Sequence, residues 1–259
     1  MIAFRNVSAS YPSGDGREPV SVLEAVDLRV RAGEFVCVLG PSGCGKTTLL
    51  NLAAGFIRPT KGQIVFDGRP VGEPSPERAV VFQEPTLFPW LTVRQNVAFG
   101  LRCRGVDARA ADERLKAALA RVGLTGWADA HVHELSGGMR QRAALARVLV
   151  LDPPALLMDE PFGALDANTR ERLQDELLRI WQADARTVLF VTHSVEEAVI
   201  LADRIALLGS PPTGVQEIVP LELARPRTRT SPEVRQMVER LRARLDSMPC
   251  CFPKTQPQG

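Results

Sequence analysis

Residues Gly40 to Thr47 have the composition of a phosphate-binding loop, with glycines before a lysine and a threonine. The apolar run 35–39 precedes them, and residues 48–54 follow with a helical pattern, so a buried strand, a loop and a helix are predicted in that order. Glycines let backbone N–H groups point at phosphate oxygens, and the helix N-terminus adds partial positive charge. Lys46 can reach the terminal phosphates, and the Thr47 hydroxyl can ligate Mg²⁺. The alternative is a glycine-rich turn that binds nothing.

A pair of carboxylates, Asp159 and Glu160, ends the apolar run 155–158. A doubly wound sheet places its ligands at the carboxyl ends of its strands. An aspartate at such a strand end can hold Mg²⁺, and the adjacent carboxylate can orient or deprotonate an attacking water. A solvated acidic turn is the alternative interpretation.

The stretch Leu135-Ser136-Gly137-Gly138 opens a predicted helix in an unusual way. Ser136 is a good N-cap, but two glycines in the first turn cost roughly 1 kcal/mol each relative to alanine. Both glycines make sense if an anion approaches the backbone closely, because a helix N-terminus presents bare amides.

The composition is that of an ordinary globular protein. The 259 residues are 45% hydrophobic and 24% charged, and a net charge of +2 gives no case for nucleic acid binding. Five cysteines, two of them adjacent, form no disulfide or metal framework, which favours a reducing compartment. No apolar run approaches the roughly 20 residues needed to cross a bilayer, and no signal peptide pattern is present. We therefore expect membrane association only through a partner.

The remaining patterning predicts an α/β chain with a mostly helical insert at residues 84–150. Alternating apolar residues predict strands with one buried face, and short apolar runs predict buried ones, at 2–8, 22–30, 79–82, 155–158, 187–192 and 204–208. Within the insert, helices are predicted after the caps Thr92, Asp107 and Ser136. A capping box is also predicted at Ser194 and Glu197.

The tail beyond residue 210 contains one more predicted helix, which begins after Ser231 with Pro232 in its first turn. Its apolar stripe lies opposite an arginine-rich face. The stripe favours a helix packed on its own domain, and a membrane-surface or regulatory helix is the alternative. Residues 249–259 are predicted to be disordered.

The order of the motifs resembles that of the ATP-binding subunit of ABC transporters. The residues that carry the resemblance are Gly40–Thr47, Gln83, Leu135–Met139, Asp159-Glu160, Gly163-Ala164-Leu165-Asp166 and His193. The match covers about residues 2–210. It implies an α/β fold with a P-loop NTPase core (ABC ATPase), an N-terminal antiparallel β region and a helical subdomain insert. The implied domains are an ATP-binding domain at 1–209, with the insert at 84–150, and a C-terminal extension at 210–259.

The resemblance also implies the site and its reaction, the hydrolysis of ATP. Two chains would pair head to tail, so that ATP on the phosphate loop of one chain meets Ser136 and Gly138 of the other. Glu160 resembles the catalytic base, Gln83 the residue that contacts Mg²⁺ and the attacking water, and His193 the ligand of the γ-phosphate. The implied nucleotide-binding residues are Tyr11, Gly40, Pro41, Ser42, Gly43, Cys44, Gly45, Lys46, Thr47, Thr48, Ser136, Gly137, Gly138 and Asp166. The implied Mg²⁺ ligands are Thr47, Gln83 and Asp159.

For Tyr11, the only tyrosine, the pattern alone favours a half-buried aromatic at a strand end. The resemblance reverses this interpretation, since Tyr11 stands where the family has an aromatic that stacks on adenine. Two departures from the family pattern are Met139, where many members have glutamine, and Gly163, where many have serine. These two departures concern how tightly the two copies in the implied dimer bind each other.

Residues 73–83 and 87–93 look most like the nitrate/sulfonate/taurine import branch of the family. The implied partners are a second copy, two transmembrane permease subunits whose coupling helices touch the loop after Gln83, and indirectly a periplasmic or surface solute-binding protein. The implied location is peripheral, on the cytoplasmic face of the cell membrane. A soluble ABC ATPase of repair or translation and a nucleotide kinase are the alternatives, and a kinase lacks the Leu-Ser-Gly-Gly signature.

Overall fold

The structure, a computed structural model, describes residues 1–13, 18–163, 165–184 and 186–248. It contains two compact units, one formed by residues 1–74 with those from 187 onward, the other by residues 75–186. The tail 249–259, for which disorder is predicted, lies outside the described residues. Across the described ranges, no helix is both long and apolar enough to span a membrane.

An antiparallel sheet begins the first unit, in the strand order β2-β1-β4-β5. Its strands are β1 (Ile2–Tyr11), β2 (Val20–Val30), β4 (Lys61–Phe66) and β5 (Arg69–Pro70). The predicted alternation holds in β2, where Val26, Leu28 and Val30 are buried and the residues between them are exposed. The predicted N-terminal antiparallel β region is thereby confirmed.

A second group of strands in this unit forms the support for the phosphate loop. These strands are β3 (Phe35–Leu39), β8 (Thr187–Thr192), β9 (Arg204–Leu208) and β10 (Val215–Pro220), in the order β10-β9-β3-β8. Strand β3 is parallel to β8 and β9 and, like β8, is buried along its whole length, which explains the uninterrupted apolar runs. Strand β10 pairs antiparallel with β9 and was not predicted, because Val219 alone among its residues is buried and its pattern is mixed.

The described part of the first unit contains three helices: α1 (Lys46–Ala54), α6 (Val195–Leu201) and α7 (Pro232–Ser247). Helix α7 packs on α6 and buries Val234, Val238 and Leu241. Of the two interpretations of the tail helix, packing on its own domain is the one observed.

The second unit contains the parallel strand pair β6 (Arg78–Val81) and β7 (Ala155–Asp159). Its helices are α2 (Val93–Cys103), α3 (Ala108–Arg121), α4 (Gly137–Leu149) and α5 (Ala167–Asp184). Thr92, predicted as a cap, forms a complete capping box with Gln95, and Asp107 accepts from the N–H groups of Arg109 and Ala110. Helices α2 to α4 follow one another between β6 and β7, so the predicted α/β class with a helical insert is confirmed.

Candidate functional site

The phosphate loop connects β3 to α1 and closes around the side chain of Lys46. Lys46 is 5% exposed, and its Nζ donates to the carbonyl oxygens of Gly40 (3.0 Å) and Pro41 (2.8 Å). The loop is therefore curled so that its carbonyls solvate the ammonium, and the positive charge stays inside the loop.

The glycines of the loop have different roles. Gly45 has a φ of +95°, and a methyl group there would lie 2.8 Å from Leu23 Cδ2 and 2.9 Å from Val22 Cγ1. A methyl group at Gly40 would lie 2.7 Å from the carbonyl oxygen of Leu208. Gly43 has a φ of +77° and open space around it. The loop is thus packed tightly where it joins the protein and open where a ligand would approach.

This open side of the loop fits a phosphate group. Gly45 is the N-cap residue of α1 and has no side chain with which to cap the helix. The first turn carries Lys46 and the exposed Thr47, so positive charge, a hydroxyl and the helix N-terminus lie together. Cys44 is buried within the loop, at 1% exposure.

Tyr11 lies beside the start of α1. Its hydroxyl is 3.2 Å from Thr48 Oγ1, and the residue is 40% exposed. The structure therefore brings the only tyrosine to the phosphate loop with its ring partly open to solvent, a position from which it can stack on a flat ligand.

His193 is exposed at the turn between β8 and α6. The predicted capping box that follows it forms only in part. Ser194 Oγ accepts from the N–H of Glu197, but the N–H of Ser194 donates to Thr192 Oγ1, and the Glu197 carboxylate accepts from the Thr192 hydroxyl. The prediction was wrong on the second half of the box, because a buried threonine competes for both groups.

The second unit places the carboxylate pair at the end of β7, as predicted. Asp159 is the last residue of the strand, and Glu160 follows with a φ of +42°. A methyl group at Gly163 would lie 3.5 Å from Gln83 Nε2 and 3.9 Å from Glu160 Oε2. Gln83 and Glu160 therefore both lie next to Gly163, where an amide and a carboxylate can share one water.

Sequence reasoning assigned no role to Gln141, which closely follows the signature stretch. The residue is 4% exposed on α4, and its Nε2 donates to the carbonyl oxygen of Phe82 at 3.4 Å. Gln141 thereby ties α4 to the residue immediately before Gln83. Gln141 stands between Arg140 and Arg142, so the local sequence offered no signal of its burial.

The N-terminus of α4 is capped and faces outward. Ser136 Oγ accepts from the N–H of Met139 at 3.3 Å. Gly137 is exposed, and a methyl group there would have nothing within 4 Å, whereas a methyl group at Gly138 would lie 2.6 Å from Thr169 Cγ2. The two glycines are therefore required for different purposes. Gly137 leaves open space at the surface, and Gly138 makes room for the side chain of Thr169 on α5.

Asp166 precedes α5 and is exposed. Its Oδ1 accepts from the N–H of Thr169 at 3.0 Å, and this hydrogen bond holds the pKa of the Asp166 carboxyl below its usual value. The same residue, Thr169, thus contacts both Asp166 and the position of Gly138.

The predicted site residues are divided between the two units. Tyr11, the phosphate loop with Thr48, and His193 belong to the first unit. The second unit contains Gln83, residues 136–138, Asp159, Glu160 and Asp166. Each set is arranged within its own unit as described above.

The predicted Mg²⁺ ligands are a hydroxyl, an amide and a carboxylate, which are oxygen donors of the kind that Mg²⁺ prefers. Among the described residues no cluster of three or more His, Cys, Asp and Glu could hold a metal ion. A donor set with one carboxylate suits an ion that takes its other ligands from substrate phosphates and water.

An aromatic cluster covers the loop after Gln83. The ring centroid of Phe88 lies 5.7 Å from that of Trp90 and 4.7 Å from that of Phe99, and Arg147 stacks on Phe88 with its Cζ 5.7 Å from the centroid. Trp90 is 72% exposed and Phe99 is 42% exposed. Asn96, fully buried on α2, fixes this loop by bonds to Phe88, Leu91 and Thr92.

Comparison with known proteins decides the family. The family described as ABC transporter matches residues 23–163, which is more than half of the chain. The chain belongs to the ABC transporter family. A nucleotide kinase is thereby excluded, and the predicted resemblance is confirmed.

Individual ABC proteins match over most of this chain. The bicarbonate transport ATP-binding protein of Synechocystis is 46% identical over 88% of this chain and 82% of its own length. The taurine import ATP-binding protein of Roseobacter denitrificans is 46% identical over 82% of this chain and 78% of its own length. A dimeric ATP-binding cassette, solved in a post-hydrolysis state with ADP and Pi, has a TM-score of 0.75 and 30% identity, covering 86% of this chain and all of that one.

Proposed function

We propose that this chain is the ATP-hydrolysing subunit of an importer, in which two copies close on two MgATP molecules and drive separate membrane subunits. The observation that carries the proposal is the pairing of a complete phosphate cradle at Lys46 with an open, outward-facing helix N-terminus at Gly137. The first would bind a nucleotide within one chain, and the second offers open space to a group from a second chain.

The first unit binds the nucleotide. The loop amides and Lys46 hold the β- and γ-phosphates, Thr47 contributes a hydroxyl, and Tyr11 stacks on the adenine. Lys46 exchanges its bonds to loop carbonyls for bonds to phosphate oxygens, which are charge-assisted and stronger. His193 donates to the γ-phosphate from its exposed turn.

The second unit supplies the groups for hydrolysis. The Glu160 carboxylate accepts a proton from the attacking water, and the Gln83 amide, next to the same glycine, orients that water. Thr47, Gln83 and Asp159 would hold Mg²⁺, whose charge would neutralise phosphate oxygens. The products are ADP and phosphate.

The second copy completes the site. Ser136, Gly137 and Gly138 of one copy approach the γ-phosphate on the other, and Asp166 lies at the same interface. The solved relative with ADP and Pi is a dimer, which supports this arrangement. Exposure of Gly137 in the single chain fits a surface that is covered only on dimerisation.

The transported solute is a small anion or a compound with an anionic group. The two named relatives serve bicarbonate transport and taurine import, and both solutes carry an oxyanion group. Nitrate, sulfonates and taurine, the solutes expected from residues 73–83 and 87–93, fall within this class of anionic compounds. A solute-binding protein would deliver the anion to the permease.

The aromatic cluster of Phe88, Trp90 and Phe99 is the proposed contact with two permease subunits at the cytoplasmic face of the membrane. Exposed apolar surface of this kind marks interaction sites, and aromatic residues are enriched in the buried centre of interfaces. The chain would therefore be held at the membrane peripherally.

The test of the catalytic proposal is Glu160→Gln. The amide cannot accept the proton, so we expect turnover to fall by roughly 10²–10⁴-fold while ATP still binds. With MgATP the variant should elute as a stable dimer in size-exclusion chromatography, whereas the matched surface variant Glu113→Gln should remain active. Turnover near that of the unaltered chain would remove Glu160 from its role.

The test of the permease contact is Trp90→Ala in the assembled transporter. We expect co-purification with the permease and solute-stimulated ATPase to be lost, because a hot-spot aromatic contributes about 2 kcal/mol or more. Basal ATPase of the isolated chain should be unchanged. Trp127→Ala, at an aromatic that is 46% exposed in the same unit, is the control. Equal losses in both variants would contradict a specific contact at Trp90.

A further inference from the structure

The turn that carries His193 is held by a ring of hydrogen bonds among the residues around it. The N–H of Ser194 donates to Thr192 Oγ1 at 3.0 Å, and the Thr192 hydroxyl donates to Glu197 Oε2 at 2.6 Å. The N–H of Glu197 in turn donates to Ser194 Oγ at 3.3 Å. Thr192 and Ser194, immediately before and after His193, are thus bonded to each other. Glu197 bonds to both, through its carboxylate to Thr192 and through its N–H to Ser194.

The carboxylate of this ring is buried. Glu197 is 6% exposed and Thr192 is 1% exposed. Burying a charged group is costly unless it is hydrogen-bonded. A glutamate whose only role was to cap a helix at the surface would therefore not be buried. A buried hydrogen-bonded network of this kind fixes the geometry of the groups it joins.

The opposite end of α6 is anchored as well. Arg225 Nη2 donates to the carbonyl oxygen of Leu201, and Arg227 Nη1 donates to that of Val199 at 2.7 Å. These carbonyls lie in the last turn of α6, where arginines satisfy acceptors that the helix leaves open. Arg227 is also desolvated, which lowers the pKa of its guanidinium to about 10. Both ends of α6 are thus held by hydrogen bonds, to Ser194 at its start and to the two arginines at its end.

We propose that Glu197 is a positioning residue for His193, acting through the Thr192 hydroxyl. The Glu197 carboxylate accepts a hydrogen bond from the Thr192 hydroxyl, which orients the Thr192 oxygen toward the N–H of Ser194 and sets the backbone of the turn at His193. The backbone that carries the His193 imidazole is thereby held in one conformation. The inference rests on the proposed function, in which His193 binds the γ-phosphate.

The experiment measures ATPase kcat and KM on the full chain for four substitutions. Glu197→Ala and Thr192→Val break the ring, and we expect each to lower kcat about tenfold, the effect of a lost hydrogen bond to a charged group, with KM for ATP within twofold. Glu197→Gln and Thr192→Ser keep an acceptor and a hydroxyl, and we expect both to stay within twofold of the unaltered chain. Glu239→Ala, at an exposed carboxylate of α7, is the control.

A double-mutant cycle with His193→Ala separates positioning from general stability. In the His193→Ala background, Glu197→Ala should reduce kcat by less than twofold further, because its effect passes through the missing imidazole. An equal loss in both backgrounds, or no loss from Glu197→Ala alone, overturns the inference. If His193→Ala itself leaves kcat unchanged, the proposed role of His193 fails instead. Should Glu197→Ala not fold, the cycle is run with Thr192→Val, to which the same outcomes apply.

Discussion

Two helix N-termini in this protein are rich in glycine, and they are built differently. Helix α1 begins after Gly45, which offers no capping side chain, and its first residue, Lys46, is buried in a loop of the same chain. Helix α4 begins after Ser136, whose hydroxyl caps the helix, and its first residue, Gly137, is exposed.

The atoms that surround the glycines also differ between the two helices. At α1, a methyl group on Gly45 would collide with Val22 and Leu23 of the same unit, so the loop is locked against its own sheet. At α4, a methyl group on Gly137 would meet nothing within 4 Å. The loop before α1 is closed around the ammonium of its own Lys46, whereas the start of α4 is capped by its own Ser136 and leaves open space at Gly137. A glycine at a helix N-terminus thus allows close packing within the chain at α1 and leaves open space at α4.

The largest expected effect is that of Lys46→Ala. Removing the ammonium should weaken ATP binding by roughly tenfold to a hundredfold, the loss of charged hydrogen bonds to phosphate. Arg140→Ala, which removes the exposed cation near the start of α4, should leave the ATP affinity of dilute monomer unchanged. Fluorescent nucleotide titration measures both variants. A comparable loss from Arg140→Ala would mean that both termini bind nucleotide within one chain.

Next in size is the stability loss from Gly138→Ala. The methyl group would lie 2.6 Å from Thr169 Cγ2, and threonine has little rotamer freedom, so we expect about 1–3 kcal/mol of destabilisation in urea unfolding. Thr169→Ser removes that γ-methyl and should restore most of the loss in the double variant. Failure of this rescue would show that Gly138 is required for another reason.

The smallest expected effect, and the most selective, is that of Gly137→Ala. Alanine has open space and a better helix propensity, so the free energy of unfolding should be unchanged or rise by up to about 1 kcal/mol. ATPase turnover should nevertheless fall about tenfold, because the methyl group obstructs the approach of a phosphate to the amides. Normal turnover in a stable Gly137→Ala variant would contradict the idea that a second copy's nucleotide reaches this surface.

Much of the fold could be predicted because the local patterns are strong. The apolar runs at β3, β7 and β8 mark buried parallel strands, and the cap at Thr92 begins a helix where predicted. Strand β10 was missed, since it owes its structure to pairing with β9 and not to its own pattern. Glu197 was assigned to a cap, because its spacing from Ser194 contains no information about the buried hydroxyl of Thr192.

The sequence by itself determined the order of the motifs, and with it the family, because loops that bind phosphate require particular residue types at particular spacings. Only the tertiary structure decided why each residue is there. It separated Gly137 from Gly138, brought Tyr11 to Thr48, and placed Gln83 and Glu160 next to one glycine. Some of these contacts are between residues far apart in the chain, and others distinguish neighbouring residues by their surroundings. A local sequence pattern contains neither kind of information.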